Sequence, residues 1–222
     1  GAACQSRVIT NTVDARLIAV DAATGELCAS FGDGGIVALR RNVGGLKETK
    51  YFPTSAPTVV GDVIVVGGYV EDGLSVDAPS GVIRAFDART GGLRWAWDLG
   101  NTQTEAEPAP GETYSAGTPN MWGTPTSDPA LGLIYIPTGS ATPDFWGGHR
   151  DEADDTYGSA IVALDAKTGR ERWHFQTVYH DVWDYDLSAQ PTLYDVPDGR
   201  GGTIPALIQA TKRGQIFMLD RR

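Results

Sequence analysis

One short pattern recurs along the chain and limits the folds open to it. Leu17-Ile-Ala-Val-Asp-Ala-Ala-Thr-Gly-Glu-Leu27, Ile83-Arg-Ala-Phe-Asp-Ala-Arg-Thr-Gly-Gly-Leu-Arg-Trp95 and Ile161-Val-Ala-Leu-Asp-Ala-Lys-Thr-Gly-Arg-Glu-Arg-Trp173 are three copies of it. A fourth begins at Gln215-Ile-Phe-Met-Leu-Asp220. Each reads as a strand, a tight Asp-x-x-Thr-Gly turn and a second strand ending on tryptophan. Aspartate and threonine side chains can bond the backbone of such a turn, and Gly25, Gly91 and Gly169 can supply its positive φ. The first copy departs from the pattern, with Ala29 where the tryptophan would fall.

Further strand candidates, rich in β-branched residues and flanked by Pro/Gly turns, lie at 62–67, 133–137 and 206–211. No window of about 11 residues keeps a helical period, so the pattern predicts an all-β chain. The equivalent aspartates Asp21, Asp87, Asp165 and Asp220 stand 66, 78 and 55 residues apart. A bare four-stranded repeat takes only ~40–45, so insertions are implied. The longest run over 101–120 and 141–157, and long insertions on a repeat array usually carry its binding surface.

Composition removes several function classes. The net charge of −10 opposes nucleic acid, whose phosphates would be repelled. No apolar run approaches the roughly 20 residues needed to span a bilayer, and the opening Gly-Ala-Ala-Cys-Gln-Ser has no signal-peptide pattern. No glycine-rich phosphate fingerprint follows a strand and opens a helix, against nicotinamide or flavin. Cys4 and Cys28 cannot build a four-thiolate zinc site. A hairpin over 8–20 would bring them near each other, leaving open one disulfide or a pair of buried thiols.

The chemistry-bearing stretch is Val178-Tyr-His-Asp-Val-Trp-Asp-Tyr-Asp-Leu187, followed by Lys212 in Ala-Thr-Lys-Arg-Gly. Acids interleaved with large aromatics are partly desolvated, and such carboxylates either shift upward in pKa or recruit a cation. A metal-assisted general base needs that setting. The plainer reading makes the aromatics core and the acids turn caps.

The repeat, with its closing tryptophan, resembles the tryptophan-docking motif of quinoprotein dehydrogenase propellers, and the resemblance runs end to end. Blocks similar to the membrane-bound glucose/quinate branch include Asp14-Ala-Arg-Leu-Ile-Ala-Val-Asp, Pro53-Thr-Ser-Ala-Pro, Ser80-Gly-Val-Ile-Arg-Ala-Phe-Asp, Thr142-Pro-Asp-Phe-Trp-Gly-Gly, Gln190-Pro-Thr-Leu and Ile216-Phe-Met-Leu-Asp-Arg-Arg, besides the stretch around Asp184. The resemblance implies an eight-bladed propeller, of which residues 1–222 would be a fragment of a single domain. About three to four blades are expected, with repeat hairpins near 7–28, 82–97, 160–176 and 206–222.

It also implies a site for pyrroloquinoline quinone (PQQ) and Ca²⁺ (or Mg²⁺). By residue type alone Trp122 could be core, Lys212 a solvated turn lysine and Asp72 a solvated loop acid. The resemblance assigns Trp122 to stacking against PQQ and Lys212 to a quinone oxygen. Asp184 becomes the general base and a metal ligand, beside Asp72 and Thr142. Thr142 falls where soluble alcohol-oxidising relatives carry asparagine, and would also contact the cofactor. That branch often carries asparagine after the first acid, whereas this chain has Gly73, which leaves Glu71 or Asp144 to supply the oxygen. His180 is assigned to orienting the site, ahead of His149. Asp181 and Asp186 are assigned to structure, and Trp95, Trp97, Trp173 and Trp183 suit packing or docking. The expected reaction is oxidation of a sugar or cyclic polyol (glucose, or quinate/shikimate) with electrons passed to ubiquinone. The parent protein would sit at the periplasmic face of the bacterial inner membrane, anchored by segments outside this chain, whose own pocket is incomplete. The competing reading is a non-catalytic propeller scaffold that binds partner proteins.

Overall fold

The computed structural model describes residues 3–45, 50–73, 75–99 and 107–222. The first sheet joins β1 (Arg7–Asn11), β2 (Arg16–Asp21) and β3 (Ile36–Ala38). After β4 (Tyr51–Phe52) comes the second, built from β5 (Thr58–Val60), β6 (Val63–Val66) and, beyond β7 (Tyr69–Val70), β8 (Ile83–Asp87) and β9 (Leu93–Trp97). β4 and β7 pair with each other as a two-stranded ribbon. The third sheet holds β10 (Thr126–Asp128), β11 (Leu133–Pro137), β12 (Ala160–Asp165) and β13 (Glu171–Gln176), with a short helix, α1 (Glu152–Tyr157), between β11 and β12. The fourth comprises β14 (Thr192–Pro197), β15 (Thr203–Ala210) and β16 (Ile216–Asp220). All pairings within these sheets are antiparallel and between neighbours, the arrangement of successive propeller blades.

The turns form as their residues dictate. Asp87 Oδ1 accepts from the backbone of Arg89 and Thr90 and from the Thr90 hydroxyl, at 2.8–3.0 Å. Asp165 repeats the arrangement with Lys167 and Thr168 at 3.0–3.1 Å. Gly25, Gly91 and Gly169 all take positive φ, at 76°, 70° and 69°. In the first copy the strand expected after the turn shrinks to a single bridge, Val20 to Leu27, and β3 takes the strand position beside β2. Cys28 there is bonded to Cys4, so the disulfide is the alternative realised.

Strands bury both faces because sheets stack on each other. Ile64 and Val66 of β6 enter a core shared with Leu17, Ala19 and Phe31 of the first sheet's segment. Val63 and Val65, pointing the other way, enter a second core with Ile134, Ile136 and Val162 of the third sheet. Leu133, Tyr135 and Ile161 then meet Leu207 of the fourth. This explains the unbroken apolar run Val-Ile-Val-Val in β6, which a sheet solvated on one side would not need. Trp95 is fully buried between the second and third sheets, and its indole N–H donates to the Ala166 carbonyl at 3.0 Å. A Cβ on Gly169 would stand 2.6 Å from that ring, so glycine is required there by space as well as by φ.

The expected all-β class holds, and the six-residue helix α1 is a local exception to it. Asp151 and Asp154 form a capping box at its start, which a scan for sustained helical period passes over in six residues. The expected insertion at 101–120 lies outside the described residues up to 106. Among the described residues no helix is long and apolar enough to cross a membrane.

Candidate active site

Loops between the sheets converge on a cavity of about 650 Å³, lined on one side by Trp122, Lys212, Asp184 and Asp186 and elsewhere by Asp72, Asp144, Phe52 and Tyr69. Trp122 lies in the loop before β10. Thr54 Oγ1 and Ser55 Oγ both donate to its carbonyl, at 2.7 and 2.5 Å, and its indole N–H donates to Asp186 Oδ2 at 2.8 Å. Asp186 is nearly fully buried, and its other oxygen accepts from the Ser140 amide at 2.7 Å. Burial pushes the Asp186 carboxyl upward, while the N–H donors of Trp122 and Ser140 pull it back. Asp186 thus anchors the indole of Trp122 to the Ser140 backbone.

Asp181 organises the loop that presents Asp184. Buried to 2% exposure, it accepts from the Trp183 amide at 2.9 Å, from the Tyr185 amide at 2.8 Å and from Ser159 Oγ at 2.6 Å. The residue between those amides, Asp184, is held at φ +60°. This left-handed conformation is one a non-glycine residue adopts only when its surroundings over-determine it, and such residues gather at functional sites. Lys212 leaves the turn between β15 and β16. Its Nζ donates to Asp184 Oδ1 at 2.7 Å and to the Asp184 carbonyl at 2.9 Å, and it stands 5.7 Å above the Trp122 ring. No hydrogen bond to Asp184 Oδ2 forms among the described residues.

Asp72 follows β7 and lines the same cavity. Its carbonyl accepts from the Asp144 amide at 3.1 Å, which ties the two acids together. Burial first raises the Asp72 carboxyl. Burial, then the charges of Asp72, Asp186 and Asp184, push Asp144 up to about 8. Asp144 is 5% exposed and its Oδ1 has no hydrogen-bond partner. Several carboxylates at one cavity with a single lysine form a strongly anionic site, a setting that favours a hard cation with oxygen ligands. Among the described residues no three His, Cys, Asp or Glu side chains form a ready-made metal cage. The donor chemistry nevertheless fits, with Asp72 and Asp184 on one cavity, the orphaned Asp144 oxygen beside them and a flat indole under a lysine.

Sequence reasoning needs correcting at three positions. Thr142 does not line the cavity: it is fully buried, its hydroxyl donating to the Ser75 carbonyl at 3.2 Å, because the chain turns so that Asp144, two residues on, points inward. His180 is also absent from the lining, and its Nδ1 lies 2.9 Å from Asp155 of α1 on an exposed surface. Trp183 is 60% exposed rather than packed. Sequence reasoning missed Phe52 and Tyr69. Their signal is the pairing Tyr51↔Val70 and Phe52↔Tyr69, in which Tyr51 and Val70 fill the core and their partners face the cavity. Thr54 and Ser55 sat in a quoted block without a role.

A buried docking tryptophan between sheets, together with an acid-and-lysine cavity beside a second tryptophan, defines a propeller domain with a built site. The family described as "PQQ: Glucose/ethanol/alcohol dehydrogenase, beta-propeller domain" matches residues 1–222, and the chain belongs to it. It is 49% identical over 222 residues to the glycerol dehydrogenase large subunit of Gluconobacter oxydans (strain 621H), covering all of this chain and 30% of that protein. It is 46% identical over 219 residues to the quinate/shikimate dehydrogenase (quinone) of Acinetobacter baylyi, covering 98% of this chain and 27% of that one. Among solved structures, a europium-containing methanol dehydrogenase aligns at TM-score 0.76 and 26% identity, over 99% of this chain and 38% of its own. The chain therefore spans about a third or less of the length of these curated relatives.

Proposed function

We propose that the chain is part of a PQQ-dependent dehydrogenase that oxidises the hydroxyl of a sugar or cyclic polyol, and that the cavity beside Trp122 is its reaction site. The observation that carries this reading is Lys212, which bridges Asp184 and the face of Trp122. A scaffold that only binds other proteins has no need of a lysine, a left-handed aspartate and an indole locked by a buried carboxylate around one cavity.

Bound there, PQQ would supply a hydride-accepting quinone and Ca²⁺ a Lewis acid, the cation held by Asp72 and Asp184. Trp122 offers a flat face, fixed through Asp186 and through the hydroxyls of Thr54 and Ser55. Lys212, above that face, is placed to donate a hydrogen bond to an anionic oxygen lying on the ring. Because Lys212 holds only Asp184 Oδ1, Oδ2 stays available to take the substrate hydroxyl proton. Asp72 and Asp184 are the acids that would hold the cation.

Electron transfer to ubiquinone belongs to this reading. A position at the periplasmic face of an inner membrane does too, and the Cys4–Cys28 disulfide supports an oxidising compartment. The substrates named for the relatives, glycerol and quinate/shikimate, support a polyol. In the whole protein reconstituted with PQQ and Ca²⁺, Asp184→Asn should lower turnover about a hundred- to ten-thousandfold while largely sparing cofactor binding, the scale on which a positioned base acts. Undiminished turnover would overturn the base assignment.

A further inference from the structure

The acids of the cavity outnumber its cations, and one of them keeps a buried oxygen without a hydrogen-bond partner. Among the described lining residues Lys212 is the only cationic side chain, and Asp184 holds it at 2.7 Å. Asp186 is satisfied by Trp122 and Ser140. Asp144 is not. It is 5% exposed, lines the cavity, and its Oδ1 accepts nothing. Arg150 does not answer it, since Nη2 donates to the Asp144 backbone carbonyl at 3.2 Å rather than to the carboxylate. A carboxylate kept from water without a donor is retained only if something else compensates it.

Gly73 bears on the same point from the chain beside Asp72. It follows Asp72 without a side chain, and a Cβ built there would meet nothing within 4 Å. Gly73 therefore offers no side-chain oxygen beside Asp72. Glu71, the nearest alternative, turns away from the cavity, with its carboxylate 3.8 Å from Lys50 Nζ and accepting the Lys50 amide at 3.3 Å. The Asp144 amide meanwhile donates to the Asp72 carbonyl at 3.1 Å, holding Asp144 next to Asp72 whatever the state of its side chain.

We propose that Asp144 is the third carboxylate ligand of the cation held by Asp72 and Asp184, supplying the oxygen that Gly73 cannot. This rests on the cavity being the PQQ and cation site. Asp144 is therefore a ligand set by the insertion at 141–157 rather than by the segment after β7. The arrangement also sets a sign that a structural acid would not give. Without the cation, Asp144 Oδ1 is buried with no donor to satisfy it, and exchanging the carboxylate for an amide should not weaken the fold.

The test is a Ca²⁺ titration of the whole protein in the presence of PQQ, read as melting temperature. In wild type, Ca²⁺ should raise the melting temperature with the logarithm of its concentration above Kd. Asp144→Asn should melt no lower than wild type without Ca²⁺ and should need at least tenfold more Ca²⁺ for the same rise. Gly73→Asn in the Asp144→Asn background should recover part of the lost affinity. If wild type and Asp144→Asn respond to the same Ca²⁺ concentrations, the ligand assignment is overturned and the site reading survives. If Ca²⁺ does not stabilise wild type, or if Asp72→Asn leaves the response intact, the cation site itself is wrong and the assignment falls with it. A fall in the Ca²⁺-free melting temperature of Asp144→Asn would show a structural acid instead and overturn the proposal.

Discussion

Trp95 and Trp122 are the same residue used in two ways, and the contrast separates what holds this domain together from what it can do. Trp95 is fully buried, donates to a backbone carbonyl and lies on a glycine that belongs to the next sheet's turn. Trp122 is half-buried, donates to a buried carboxylate and keeps one face free under Lys212. An indole donating to backbone locks two elements together. An indole donating to a buried acid is itself locked, as a platform whose orientation matters more than its burial.

The largest expected effect falls on the docking side. Trp95→Ala should destabilise the protein by about 3–5 kcal/mol, the usual range for emptying a buried tryptophan site. Denaturant unfolding would check it, and a loss below about 1 kcal/mol would remove the docking role. Gly169→Ala comes next, at about 2–4 kcal/mol, because it combines a left-handed φ of 69° with a Cβ 2.6 Å from the Trp95 ring. Gly25→Ala in the equivalent turn of the first copy meets nothing within 4 Å and should cost only about 1–2 kcal/mol. Equal losses at the two glycines would mean that contact with Trp95 adds nothing.

A smaller effect is expected between the third and fourth sheets, where Arg221 Nε lies 2.7 Å from Asp128 Oδ2. Burial opposes the Asp128 charge, but the Arg221 bond and the amides of Leu131 and Ala130 outweigh it and hold the carboxyl below its ordinary value. A depressed folded-state value means the stabilisation is complete above the unfolded value near 3.8 and is lost as pH falls through the folded one. Asp128→Asn should therefore flatten the acid limb of the stability curve below about pH 4. An unchanged acid limb in the variant would contradict this.

The docking half of the contrast could be read from the sequence. Asp87-x-x-Thr-Gly and Asp165-x-x-Thr-Gly name their own turns through local hydrogen bonds, and the tryptophan eight residues past each aspartate names a neighbour. The cavity half was only partly legible. Trp122, Asp184, Lys212 and Asp72 do line one cavity, but Thr142 and His180 do not, and Asp144 stood only as a substitute. Loop residues have no periodicity to say which way they point. Thr142 and Asp144 are two apart in an irregular insertion, and only the folded loop decides that the acid turns inward. Asp181 and Asp186, read as structural, have that role in the hydrogen bonds they accept.

The most direct measurement is the affinity of the whole protein for PQQ, titrated by absorbance in the presence of Ca²⁺, with Trp122→Ala set beside wild type. Stacking on an aromatic face is worth about 1–3 kcal/mol. Trp122→Ala should therefore bind PQQ roughly ten- to a hundredfold more weakly, and its loss of stability should stay below that of Trp95→Ala. Unchanged affinity in Trp122→Ala, in a protein that keeps its native fold, would contradict a cofactor site on this cavity.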